Sequence, residues 1–196
     1  MPRNLSLLVS VIALAATSVV SAQQALFVQP LAERTVTDLP AGLLFWRIET
    51  FPSKEVAQRA IGAWSLVAET AGKIWLFTLG PAGGASLGGT RVSEVGPITR
   101  VSAPQYLLRI NEASGPPGSM TTVHSHPGSE AFYVLSGEQS IRSAHGILVV
   151  KPGRPEPGDG ANMAMQVSSS GSSDLASLVM FVVDATKPFS SPASLP

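Results

Sequence analysis

Two histidines and a glutamate lie close together in the segment GSMTTVHSHPGSEAFYVLSG, which runs from Gly118 to Gly137. His124 and His126 are separated by one residue, so on a β-strand their side chains project from the same face. Glu130 follows the turn dipeptide Pro127-Gly128 and can return beside them on the next strand. Two imidazoles and one carboxylate predict a site for a divalent Fe, Mn, Zn, Ni or Cu ion. The alternative is a pair of surface histidines beside a loop.

This segment resembles the first motif of the cupin superfamily, G(X)5HXH(X)3–4E(X)6G. Its five fixed positions are filled, with the correct gaps, by Gly118, His124, His126, Glu130 and Gly137. The resemblance implies a mainly β protein built on a cupin-type jelly-roll barrel, with a metal or ligand site inside it. The superfamily includes dioxygenases, decarboxylases, isomerases and binding proteins without activity, so the fold alone does not name a reaction.

The second cupin motif, G(X)5PXG(X)2H(X)3N, is degraded in this chain. In the corresponding segment Met165 occupies the position of the histidine, which is usually the fourth metal ligand, and Ser169 that of the asparagine. Gly160 and Asn162 replace the proline and the second glycine. No histidine follows His145, which we expect to be a solvated residue at the tip of a hairpin.

Three outcomes for the metal site stay open. His124, His126 and Glu130 can hold a metal with water in the remaining positions. Met165 can face inward as a fourth ligand, since a thioether suits Cu(I), or it can simply fill apolar space in the barrel. In the third outcome the protein has lost its metal affinity and has kept only the cavity.

The first 22 residues predict a secretory signal peptide. Arg3 supplies a positive start, an apolar stretch runs from Leu5 to Val20, and Val20-Ser21-Ala22 resembles a cleavage site. An uncleaved membrane anchor is the alternative, but the apolar stretch is shorter than the roughly 20 residues that a spanning helix needs. We therefore expect a secreted or periplasmic protein with no membrane contact after cleavage.

Composition excludes several classes of function. The sequence has 13 basic and 13 acidic residues and a net charge of +0, which does not favour a nucleic-acid partner. It has no cysteine, so it holds no thiol nucleophile, no cysteine-ligated zinc and no iron–sulfur cluster. Any metal must therefore be bound by His, Asp, Glu, Met or backbone oxygen.

Hydrophobic patterns predict several strands and one helix around the motif. The helix begins at the N-cap Ser53 and continues to about Ala71, because apolar residues recur every fourth position. The predicted organisation is a signal peptide at 1–22, an α+β extension at 23–100 packed on the barrel, the cupin barrel at 101–186 and a loosely ordered tail at 187–196.

The predicted function is that of an exported cupin-domain protein that binds a divalent metal and a small organic molecule. If it is an enzyme, the resemblance implies a metal-dependent oxidoreductase of the dioxygenase kind, or an isomerase or decarboxylase, acting on a substrate that chelates through oxygen. The alternative is a barrel that binds metal or a small apolar ligand without turnover. A homodimer is an expectation from the superfamily, and no spacing in the sequence bears on it.

Overall fold

The computed structural model describes residues 24–196. The predicted signal peptide lies outside these residues. Most of the described chain is β-strand, and its one α-helix has six residues. No helix in residues 24–196 is long and apolar enough to cross a membrane.

The elements follow one another along the chain without repeats. In order they are β1 (Phe27–Val36), β2 (Leu44–Phe51), α1 (Lys54–Arg59), β3 (Ser65–Thr70), β4 (Lys73–Gly80), β5 (Thr90–Ile98), β6 (Tyr106–Gly115), β7 (His124–Ser125), β8 (Gly128–Ser136), β9 (Gln139–Ser143), β10 (Gly146–Val150), β11 (Glu156–Pro157), β12 (Met165–Ser169), β13 (Leu175–Asp184) and β14 (Ser191–Pro192).

These strands form three antiparallel sheets. Sheet A has the order β10-β9-β12-β7-β14, sheet B the order β1-β6-β13-β8-β11, and sheet C the order β3-β4-β2-β5. From β6 onward the chain passes back and forth between sheets A and B, so that strands distant in sequence become neighbours. This is the topology of a jelly roll. The cupin-type jelly-roll barrel predicted from the first motif is therefore confirmed.

Sheet B is buried on both faces. Alternate side chains of its central strand β13 pack into two different apolar clusters. Leu178 and Met180 pack with Trp46 in a cluster between sheets B and C. Val179 and Phe181, the alternate residues, belong to the cluster inside the barrel. Because side chains alternate across a strand, a strand covered on both faces needs a continuous apolar run, which is what the sequence LASLVMFVVD provides.

The N-terminal part of the chain contributes to two layers. Sheet C covers the outer face of sheet B, whereas β1 pairs with β6 and forms the edge of sheet B itself. The predicted N-terminal part with one helix and extra strands is thus confirmed. The domain boundaries at 23–100, 101–186 and 187–196 stay predictions.

The predicted length of the helix is wrong. Ser53 caps α1 as predicted, accepting a hydrogen bond from the Val56 amide, but the helix ends at Arg59. Residues 65–70 instead form β3, paired with β4. Four-residue spacing is also a multiple of the period of two in a strand, so the apolar pattern fits both structures. Gly62, which weakens a helix, lies between the two elements.

Backbone conformation accounts for the two glycines that bound the first motif. Gly118 has φ +83° and Gly137 has φ +74°, a region that other residues rarely adopt. A Cβ atom on Gly137 would also lie 2.7 Å from the backbone oxygen of Asp174. Glycine at both ends therefore allows the turns that direct the motif across the barrel.

The C-terminal tail is more ordered than the sequence suggests. β14 pairs with β7, placing Ser191 opposite Ser125 and Pro192 opposite His124. The Ala193 amide also donates a hydrogen bond of 3.2 Å to the Val123 carbonyl. The prediction of a loosely ordered tail is wrong here, because backbone pairing with a distant strand leaves no periodic signal in so short a segment.

Candidate metal centre in the barrel cavity

His124 and His126 lie side by side at the wall of the barrel cavity. His124 belongs to β7, and His126 follows that strand directly. The centroids of their rings are 5.0 Å apart, and the ring planes meet at 82°. A metal–nitrogen distance of about 2.0–2.1 Å puts two imidazole centroids that share one metal about 4.5–5 Å apart. The separation of the two rings therefore suits a common metal ion.

Hydrogen bonds fix the tautomer of both rings. The Nδ1 atom of His124 lies 2.9 Å from the Thr122 carbonyl oxygen, and that of His126 lies 2.7 Å from the Phe189 carbonyl oxygen. A carbonyl oxygen only accepts, so each Nδ1 carries the proton and donates it. In the neutral rings each Nε2 then holds the lone pair that binds a metal. Backbone carbonyls commonly orient metal-binding histidines in this way.

His126 is held in its neutral form. Its side chain is buried, and its ring centroid lies 4.8 Å from that of Phe181 and 4.7 Å from that of Phe189. Burial lowers the pKa of His126 to about 4, and the neighbouring His124 and Arg109 act in the same direction. The hydrogen bond to Phe189 opposes this only partly. The ring is thus available as a neutral ligand at physiological pH.

Glu130 faces the histidines from the opposite sheet. The sequence predicts it on the next strand beside them. It does lie on the next strand, β8, but that strand belongs to sheet B, whereas β7 belongs to sheet A. The side chain is 3% exposed, and burial together with the charge of Asp159 raises the pKa of Glu130 to about 8. Without a positive charge nearby, its carboxyl group is therefore mostly protonated at neutral pH.

The cavity has a volume of about 240 Å³. Its polar lining brings Asn111, Thr121, Thr122 and Ser190 together with the three motif residues, and its apolar lining comes from Leu26, Val28, Ala113, Phe132, Val167, Val179, Phe181 and Phe189. Aromatic and aliphatic surface thus surrounds a few polar groups, the usual composition of a small-molecule site.

The three motif residues share this cavity without forming a closed ligand group. Within residues 24–196, no cluster of three or more His, Cys, Asp or Glu side chains is arranged to hold a metal ion. The ring separation and the tautomers of the histidine pair are compatible with a shared metal ion. Glu130, which lies on the opposite sheet, is the least preorganised of the three residues.

Met165 lies directly opposite His124 in the pairing of β12 with β7. Its side chain is 2% exposed and belongs to the apolar cluster inside the barrel, together with Ile141 and Val150. Its assignment as a ligand stays a prediction, as does that of the three motif residues. His145 lies outside the cavity lining described above, at the tip between β9 and β10, and its Nδ1 is 3.0 Å from Asp159 Oδ1.

Sequence reasoning missed three residues that shape the site. The Phe189 ring lies against His126, and the Phe189 carbonyl accepts the hydrogen bond from His126 Nδ1. Asn111 lines the cavity, and Arg109 donates a hydrogen bond to Asn111 Oδ1. A signal for two of them exists: Arg109 and Asn111 occupy alternate, inward-facing positions of β6, where apolar residues are the norm. Nothing in the local sequence around Phe189 indicates its place.

No family model and no curated protein sequence matches this chain. Among solved structures, it is similar to a cupin-like protein from Thermotoga maritima, with a TM-score of 0.40 and 15% identity over 45% of this chain and 65% of that chain. The strand order of sheets A and B is that of a jelly-roll barrel, the fold that the first cupin motif implies.

Two further solved structures are similar at a TM-score of 0.38 and 18% identity. They are a DMSP lyase from Ruegeria pomeroyi, matched over 44% of this chain and 43% of that chain, and a polyketide cyclase from Streptomyces resistomycificus, matched over 45% and 62%. The matched region spans between 43% and 65% of the length of these three proteins. The activities in these names are those of the neighbouring proteins.

Proposed function

We propose that the protein binds a divalent transition metal in its barrel cavity through the Nε2 atoms of His124 and His126, with Glu130 as an oxygen ligand. The observation that carries this proposal is the pair of hydrogen bonds from the Nδ1 atoms to the Thr122 and Phe189 carbonyls. They leave both lone pairs on the Nε2 atoms of two rings that are 5.0 Å apart.

The surrounding residues would serve such a centre in different ways. Phe181 and Phe189 cover His126, exclude water and keep its ring neutral. Glu130 would lose its proton when the positive ion binds, because the ion offsets the cost of burying a charge. A bound metal would supply a Lewis acid or an oxygen-activating centre for a small organic molecule that chelates through oxygen.

Two candidate functions follow for such a centre, one catalytic and one limited to binding. Enzymatic use would be that of a dioxygenase-like oxidoreductase, or of an isomerase or decarboxylase. A barrel that binds metal or a small ligand without turnover is the second candidate. The mainly apolar lining of the cavity favours the binding of a small apolar ligand.

Metal analysis of protein purified without a histidine tag tests the metal proposal. Loaded with Zn²⁺ or Co²⁺ and then dialysed, the wild type should retain about one equivalent, and His124→Ala with His126→Ala should retain none. His145→Ala is the matched control, because its imidazole is 67% exposed outside the cavity, and it should retain the metal. Full occupancy in the double variant would show that the ligands lie elsewhere.

Export is part of the proposal and rests on residues 1–22. Expression of the full chain in a Gram-negative host should yield periplasmic protein whose N-terminus is Gln23. Recovery of the uncleaved chain in the membrane fraction would favour the anchor instead. Sedimentation velocity of the same material tests the expected homodimer.

A further inference from the structure

Asn111 places a side-chain amide at the wall of the cavity, where its Oδ1 atom has a protein partner and its Nδ2 atom has none among residues 24–196. It lies on the inner face of β6, is 3% exposed and lines the cavity. Apart from its contact with Arg109, no hydrogen bond from residues 24–196 reaches its side chain. Its Nδ2 atom is not among the fully buried polar atoms that lack a partner, so it is accessible from the cavity. A ligand that enters the cavity can therefore accept a hydrogen bond from this atom.

Arg109 decides which end of this amide faces the cavity. Its Nε lies 2.9 Å from Asn111 Oδ1. A guanidinium group only donates hydrogen bonds, so the atom it contacts must be the carbonyl oxygen, and the NH₂ group of Asn111 is left for the cavity. Arg109 is itself fixed, with Nη1 at 3.5 Å from Glu33 Oε2 and Cζ at 4.2 Å from the ring centroid of Phe189. The amide is therefore held as a hydrogen-bond donor.

The surface beside this donor is apolar. Across the sheet, Asn111 is in register with Val179, which in turn is in register with Phe132, and both neighbours line the cavity. A ligand in this position needs an apolar body with an acceptor oxygen at one end. The volume of about 240 Å³ limits it to a molecule with roughly one aromatic ring.

We infer that Asn111 is the specificity-determining donor of the cavity and that the ligand is a small monocarboxylate with an apolar body, one oxygen of which accepts a hydrogen bond from Asn111 Nδ2. The positive charge of Arg109 directly behind the amide favours an anionic oxygen over a neutral one. This inference deepens the proposed function, in that it rests on the same cavity and names the class of its ligand.

Three probes of similar size test the inference by calorimetry: benzoate, acetophenone and benzylamine. They present an anionic acceptor, a neutral acceptor and a cationic donor. In metal-free protein with EDTA, the wild type should bind benzoate most tightly and benzylamine about tenfold or more weakly. Asn111→Asp replaces the donor by an acceptor of the same shape, so benzylamine should then bind more tightly than benzoate. Asn111→Leu removes the donor and should abolish the preference for benzoate.

Arg109 variants separate a positioning role from a structural one. Arg109→Lys keeps a donor-only cation and should keep the preference for benzoate, whereas Arg109→Met frees the amide to rotate and should reduce it to about twofold or less. The inference would be overturned if wild type and Asn111→Asp preferred benzoate over benzylamine to the same extent, or if the wild type bound none of the three probes. If benzoate selectivity persists but Zn²⁺ does not bind the wild type, the metal proposal fails and the inference about Asn111 stands.

Discussion

The cavity holds two ionisable side chains whose pKa values are shifted in opposite directions by the same cause. Burial lowers the pKa of His126 to about 4 and raises that of Glu130 to about 8. Both residues are therefore neutral near pH 6, although one is a base and the other an acid. A site that keeps its ligands uncharged avoids the cost of burying unpaired ions until a metal arrives.

These shifts make the stability of the metal-free protein depend on pH. Folding favours protonated Glu130, so its contribution is complete below the unfolded pKa of 4.5 and is lost as the pH rises towards 8. Glu130→Gln should therefore be more stable than the wild type at pH 8.5, by about 2–4 kcal/mol, and similar to it at pH 4.5. Urea denaturation in EDTA at the two pH values measures this. The same pH dependence in both proteins would rule out a buried neutral Glu130.

His126 should act in the opposite sense at lower pH. Folding favours its neutral form, so its contribution is complete above pH 6.5 and is lost as the pH falls towards 4. Metal affinity should also rise between pH 5.5 and 8, where His126 is already neutral, because the proton of Glu130 becomes easier to displace as the pH approaches 8. Calorimetric titration of Zn²⁺ between pH 5.5 and 8 tests this, and an affinity that does not change over the range would contradict it.

The sequence predicts part of this residue-scale picture. His124, His126 and Glu130 follow from one continuous motif, because the spacing of ligands on a strand and past a turn is a local property. Asn111 and Phe189 come to the cavity through the pairing of distant strands, β6 with β13 and β14 with β7. Strand pairing of that range has no counterpart in local spacing, so these residues appear only in the structure.

At the scale of elements, the C-terminal tail is part of the site. Removal of residues 187–196 takes away the Phe189 carbonyl, which orients His126, and its ring, which covers the imidazole. Zn²⁺ affinity should then fall about 10–100-fold, as for loss of other groups that orient a metal ligand. Phe189→Leu keeps the carbonyl and should lose less. Calorimetry on both variants, with circular dichroism to check folding, decides the point. Unchanged affinity after truncation would contradict a role for the tail.

Element boundaries show where hydrophobic pattern fails. The strand Leu175–Asp184 is a nearly unbroken apolar run, and this pattern agrees with its burial on both faces. The segment after α1 is predicted as helix but forms β3, because apolar residues four apart satisfy either period. Residues 65–70 form a strand and not a helix because they pair with the edge of β4.

At the scale of the whole molecule, sheet C and the barrel share one core. The cluster between them combines Trp46 and Trp75 of sheet C with Leu108 and Met180 of sheet B, and each of these side chains is almost fully buried. Separation would expose the outer face of sheet B to water, which disfavours independent folding of either part.

We therefore expect one cooperative unfolding transition. The three tryptophans lie between residues 46 and 75, so their fluorescence reports on the N-terminal part, while far-UV circular dichroism reports on all strands. The two signals should change at the same denaturant concentration. With Zn²⁺ at about 100 times its Kd, the free energy of unfolding obtained from either signal should rise by about 2.7 kcal/mol. Two independent domains would be indicated if Zn²⁺ did not shift the unfolding transition seen by tryptophan fluorescence. Independent folding of a fragment 101–196 would indicate the same.

The most direct test of the proposed metal centre is long-range ¹H–¹⁵N NMR of the three histidine rings during titration with Zn²⁺. Before zinc, His124 and His126 should both show protonated Nδ1 and unprotonated Nε2. One equivalent of zinc should shift the Nε2 resonances of these two rings and leave those of His145 unchanged. Protonated Nε2 in either cavity ring, or resonances that zinc does not move, would contradict a metal centre built on this pair.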